Sequence, residues 1–285
     1  MRVSPRLLQV AVAALLLAVP SIVRAQPFLL QIKPRVGDTV SVKLDQRIEM
    51  SGAPMDCMDG ERKSGREMPR HQPCSAASRQ MTTVTEVYSK AIATGKSRDG
   101  VLVLAVTDSI RSATGSGSVV GPARRIRSRN ESIALRVAPD GGAEVVDSNA
   151  SADLRELFGQ MPAMLSKKPV AVGGKWKSEM RIPIAGETGA MGLVRATFQL
   201  DSLGRNGDIA YISMRGTLTH DHRDGSDSEL DGTMTCSLQL DRRLSWITST
   251  HAEINATSIF RPATGGGPMR VRTHIIQSLK AGPAR

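Results

Sequence analysis

The stretch KPRVGDTVSVKLDQRI, Lys33 to Ile48, decides the fold. From Thr39 it alternates. Val40, Val42, Leu44, Gln46, Ile48 and Met50 fall on one side, and Thr39, Ser41, Lys43, Asp45, Arg47 and Glu49 on the other. Successive side chains of a strand point to opposite faces, so this is a strand with one buried and one wet face. Lys-Pro, valine and a glycine turn stand in front of it. The same order returns at KPVAVGGKWKSEMRIPI, Lys168 to Ile184. Proline before a glycine turn makes a stiff start to a first strand. A chain that writes this twice predicts two similar β halves.

Alternation recurs through both halves. Val194, Ala196, Phe198 and Leu200 form one face, as do Ala210, Ile212, Met214 and Leu218. Leu230, Met234, Cys236, Leu238 and Leu240 form another. Turn chemistry lies between the runs: GRNGD (204–208) holds an Asn-Gly pair suited to positive φ, PDGG (139–142) does the same, and DRR (241–243) divides two long runs. These signals predict about ten strands joined to their sequence neighbours. That is an antiparallel meander, because parallel pairs need long crossovers. The fold expected is mainly β, a curved sheet or open barrel in two halves, 26–150 and 169–285, forming one continuous domain.

One segment breaks the period. SADLRELFGQMPAMLSKK, Ser151 to Lys168, spaces Leu154, Leu157, Phe158, Met161, Met164 and Leu165 by threes and fours, which predicts a linking helix with one apolar face. Ser151 suits its start, and Lys167 and Lys168 suit its end. These six side chains are the candidates for the wall of a ligand cavity. Trp176, just after a Gly-Gly turn, is expected to pack into the base of the second half with its indole N–H bonded locally.

The segments KPVAVGGKW, VRATFQLDSL, IAYISMRGTL and QIKPRVGDTVSVKLDQRIEMSG together resemble a family of uncharacterised secreted bacterial β-proteins. Members carry a Gly-Asp-Thr segment early and a Val-Gly-Asp-x-Trp segment later. Gly173, Lys175 and Trp176 fit the second pattern, while Gly174 stands in the place of its Asp. The resemblance implies an antiparallel β fold and brings no catalytic residues.

The N-terminus predicts export. Arg2 and Arg6 precede the apolar run Leu7–Pro20, and Val23–Ala25 suits cleavage after Ala25. The run is short for a membrane anchor, and no later segment is long and apolar enough to span. Residues 1–25 carry three arginines, so the charge falls from +11 to 35 − 27 = +8. ARRIRSR (123–129), the densest basic cluster, has no interleaved aromatic on which bases could stack, so no nucleic-acid partner is expected. Export permits a disulfide, and Cys57 and Cys74 bracket a polar loop that a bond would hold, leaving Cys236 reduced on its apolar face.

Catalytic patterns are missing. There is no Gly-x-Ser-x-Gly elbow and no dinucleotide fingerprint. His220 and His222, two apart on a strand, with Asp224 as third ligand, form the weak candidate for a metal, against the reading of a polar hairpin loop. The expectation is a non-enzymatic exported protein with no cofactor. It binds an elongated apolar small molecule or lipid in the cell envelope, with an envelope protein as another partner. The alternative is a solid-core scaffold or interaction module.

Overall fold

The computed structural model describes residues 26–54, 79–116, 119–126, 131–148, 163–183, 191–220, 229–260 and 268–284. These form one antiparallel sheet of thirteen strands. The strands are β1 (Thr39–Pro54), β2 (Arg79–Ser97), β3 (Gly100–Ser116), β4 (Val119–Val120), β5 (Arg124–Ile126), β6 (Ser132–Val137), β7 (Ala143–Ser148), β8 (Lys175–Pro183), β9 (Met191–Gly204), β10 (Ile209–His220), β11 (Glu229–Asp241), β12 (Trp246–Phe260) and β13 (Met269–Pro283). Their order across the sheet is β7-β6-β3-β2-β1-β13-β12-β11-β10-β9-β8, with the short β4 and β5 pairing to β3. The first half reads across as five strands, β13 follows, and the second half repeats the five in the same sense. The sheet is not closed, for β7 and β8 have no ladder between them.

The repeated stretch is a repeated structure. Gly37 (φ +95°) and Gly173 (φ +81°) both occupy the left-handed region that glycine enters without strain. Gly37 donates to the Ala93 carbonyl, Ala93 donates back to Asp38, and Asp38 donates to Arg35. In the second half Gly173 donates to Leu200, Leu200 to Gly174, and Gly174 to Ala171. One residue past each partner, at Thr94 and at Asp201, the ladder to the next strand skips a residue. Such a bulge sharpens the local twist and helps the sheet curl.

The curl brings the inward faces together at the end that carries the tight turns. Leu135, Val137, Val103 and Ala93 from the first half join Val194, Phe198, Leu200, Ile212 and Leu240 from the second in one buried cluster. The segment before β1 crosses this end as a strap. Phe28 bridges Val170, Ile32 donates to the Pro139 carbonyl and Lys33 to the Ser245 carbonyl, so Leu30 and Ile32 plug the core.

The helix expected over 151–168 is corrected in part. Residues 151–162 lie outside the described residues, and 163–168 are irregular. The Met164 and Leu165 amides both donate to the Asp140 carbonyl, across from the β6–β7 turn, instead of to a preceding helical turn. The Ser178 hydroxyl and the Trp176 indole N–H hold the Ala163 and Met164 carbonyls from the other side. The stretch therefore lies between the two free sheet edges, and its apolar residues serve both.

Candidate functional site

The inward register of the long strands carries no carboxylate, lysine or arginine over Val40–Gly52, Met81–Ala93, Val194–Leu200, Ala210–Leu218, Leu230–Leu240 and Val271–Ala281. Charge goes outward. On β1, Lys43 pairs with Asp45 at 2.8 Å and Arg47 with Glu49 at 2.7 Å, and Glu86 on β2 lies 3.9 Å from Arg111 on β3. A cation at the midplane of a lipid-facing strand costs about 2–4 kcal/mol, so this outer face is built for water. Among the described residues no helix is long and apolar enough to cross a membrane.

The register stacks the inward side chains in level rows. One row runs Ile110, Val87, Leu44, Leu279, then Thr250, Leu238, Ile212 and Leu200. The next runs Ser112, Thr85, Gln46, Gln277, then Ala252, Cys236, Met214, Phe198 and Trp176. A third contains Thr114, Thr83, Ile48, Ile275, Ile254 and Met234. The rows change character along their length. Over β9–β11 they are packed: Phe198, Leu200 and Leu240 have no exposed surface, and Ile212 and Leu238 have almost none. Over β3, β2, β1 and β13, Ile110, Val87, Leu44, Leu279, Ile48 and Ile275 are only half-buried. The result is a shallow apolar groove on the inner side of the middle strands, floored by the packed end.

Of the wall candidates, Leu165 is buried at 4% exposure and Met164 packs against the core, at the seam and away from the groove's middle rows. Leu154, Leu157, Phe158 and Met161 lie outside the described residues, as do Cys57 and Cys74. The Trp176 ring packs as expected, while its N–H finds a partner in the seam segment and not a local one. The ring stacks on Phe198 with centroids 5.5 Å apart and planes 8° from parallel, and its N–H reaches the Met164 carbonyl at 3.0 Å. Cys236 is a free thiol, and burial pushes its pKa up to about 11, which keeps it protonated and inert at neutral pH.

His220 is buried at 4% and lines a cavity of about 530 Å³ at the far end of β10 with Leu230, Glu229, Asp231, Arg270 and Arg272. His222 and Asp224 lie outside the described residues. Among those described, no three His, Cys, Asp or Glu side chains are placed to hold a metal ion.

The groove lies apart from the 151–168 segment expected to form the ligand wall, and it is lined by the even positions of β1, an apolar face in the sequence. The missing signal was depth, because alternation distinguishes faces but not a filled face from a half-filled one.

Residues 144–247 match a family described as a family of unknown function, DUF6263. No curated protein matches the chain. Among solved structures, an outer membrane channel from Pseudomonas putida F1 aligns with 91% of this chain and 100% of its own, at 8% identity and a TM-score of 0.23. So slight a likeness carries no argument.

Proposed function

We propose that the chain is an exported, non-enzymatic protein of the cell envelope that holds an elongated apolar ligand or lipid in the groove of β3, β2, β1 and β13. One observation carries the reading: half-buried aliphatic side chains in register-matched rows, Ile110, Val87, Leu44 and Leu279 in one and Ile48 and Ile275 in another, on an inward face without charge over Val40–Gly52, Met81–Ala93 and Val271–Ala281. Exposed aliphatic area of this kind favours a guest that removes it from water, at about 25 cal/mol per Å². The second reading, a solid-core scaffold, draws on the packed end, where the strap and the seam residues already fill the interior.

Two measurements on one preparation separate these readings. Native mass spectrometry of protein purified from its own envelope should show a chain lacking residues 1–25 with co-purifying lipid. Amide exchange with a fluorescent acyl probe should slow over Leu44–Met50, Met81–Val87 and Ile275–Leu279 beyond any global change. A ligand-free mass and unchanged exchange, with no probe bound, would leave the scaffold.

A further inference from the structure

Between the row of Ile110, Val87, Leu44 and Leu279 and the row that runs Thr114, Thr83, Ile48 and Ile275 lies a row of a different kind. Gln277 on β13 faces Gln46 on β1, Gln46 faces Thr85 on β2, and Thr85 faces Ser112 on β3. All four are half-buried and on the inward face. The Thr85 and Ser112 hydroxyls lie 3.5 Å apart and satisfy one another. The two glutamine amides make no side-chain hydrogen bond among the described residues. Their polar atoms are also not sealed from solvent, for they are absent from the buried atoms that lack partners. In a groove made only for hydrocarbon, two primary amides and two hydroxyls would weaken the site, because each guest methylene over them would strip water and give nothing back. The continuation of the same row across the second half is Ala252, Cys236, Met214 and Phe198, with no amide or hydroxyl. Along this row, amides and hydroxyls are therefore confined to β3, β2, β1 and β13.

Resting on the carrier reading above, we infer that the guest is a neutral amphiphile whose ester, amide or hydroxyl group lies at the Gln46–Gln277 row, with its chain on the aliphatic rows to either side. The amides supply two N–H donors and one carbonyl acceptor each, which match a neutral carbonyl or hydroxyl. Among the described residues, no lysine or arginine stands on the inward face over Val40–Gly52, Met81–Ala93 or Val271–Ala281, and the row's cation, Arg124 on β5 opposite Ser112, is three ladders from Gln46, so an anion at the Gln46–Gln277 pair loses solvation without a partner. The Gln46–Gln277 pair thus selects by two rules: a hydrogen-bonding group is rewarded there, and a fixed negative charge finds no partner beside it.

The test is displacement of a neutral fluorescent acyl probe from the full mature chain by three competitors of equal chain length: a monoacylglycerol, the free fatty acid at pH 8 and the plain alkane. The monoacylglycerol should displace at least about tenfold more effectively than either of the others, which corresponds to about 1.4 kcal/mol. Gln46→Leu with Gln277→Leu should remove that advantage and leave the alkane's binding equal or tighter. Thr85→Val, a milder change, should shift the ratio in the same direction without altering the melting temperature appreciably. Equal binding of alkane and monoacylglycerol, or tightest binding by the fatty acid, would overturn the assigned class while the carrier stands. If no probe binds at all, both fall together.

Discussion

The two halves share a backbone and differ in what fills it. Register and turn geometry place Val40, Ala91 and Ala105 of the first half where the second has Trp176, Phe198 and Met214. The second trio contains a stacked aromatic pair and seals its side of the interior. The first trio is small, and a partly open cavity of about 110 Å³ remains beside Val40, Ala91 and Ala93, lined also by Leu244 and Trp246. Farther along the same strands the first half stays half-exposed. One frame thus appears twice, and side-chain volume packs the second occurrence while leaving the first half-open. The turns show the same division. In the first, Asp38 follows Gly37, and its carboxylate accepts the Arg35 amide at 2.8 Å. In the second, Gly174 fills the position of Asp38, and a Cβ there would lie 2.6 Å from Val170 Cγ1 and 2.8 Å from the Ala171 carbonyl oxygen. The glycine that departs from the expected Val-Gly-Asp-x-Trp pattern is thus required by its neighbours.

The largest expected effect tests the division of labour. Phe198→Ala removes a fully buried ring from the middle of the packed rows and should cost about 3–5 kcal/mol in urea unfolding. A loss below about 1 kcal/mol would mean that the second half is not the core. The turns come next. Gly174→Asp should cost about 1–3 kcal/mol through overpacking against Val170. Gly37→Ala, which has nothing within 4 Å of its new Cβ, should cost only the left-handed strain, about 1–2 kcal/mol. If the two were reversed in size, the equivalence of the turns would be wrong.

The smallest effect concerns the join. His274 on β13 lies 3.6 Å from Glu49 on β1 and 3.2 Å from Glu253 on β12, so it touches the outer faces of both halves. Arg47 chiefly, with His274, holds the Glu49 carboxyl below its ordinary value, while the Asn255 amide and then His274 do so for Glu253. A depressed folded pKa adds stability above the unfolded value of 4.5 that is lost as pH falls through the folded one. Both groups are exposed, so the expected change is slight. The melting temperature should fall more between pH 5 and pH 3 in the parent than in Glu49→Gln with Glu253→Gln. Identical slopes would dismiss the join as a pH-sensitive element.

Strand faces, hairpin turns and the repeated start were legible because each is local. Leu230, Met234, Cys236, Leu238 and Leu240 alternate in sequence and in burial, and Asn206 and Gly207 adopt the positive φ that their types invite. The pairing of β1 with β13 was not legible, since it joins Val40 to Pro283 and no local signal spans that distance. Nor was the strap, because Phe28–Lys33 is held by one or two backbone bonds at each of three separate places. The helix expectation at Met164 and Leu165 failed for a related reason. Spacing by threes and fours also suits a segment that sends side chains to two opposing edges. The groove's polar row was written openly at Gln46, yet its meaning depended on Gln277, a partner far along the chain.

The unjoined edges have a mechanical consequence. A closed barrel has a circumference fixed by its strand number and shear, and widening it breaks a ladder. Here the hoop is cut between β7 and β8, and the cut is pinned at one end through residues 163–165, by Asp140 on one side and by Trp176 and Ser178 on the other. Among the described residues no ladder joins the edges elsewhere along the cut, so the wall there can spread like a split ring, twisting each strand pair a little while every interstrand bond survives. Girth is then an adjustable dimension of this molecule, whereas its length is set by the strands.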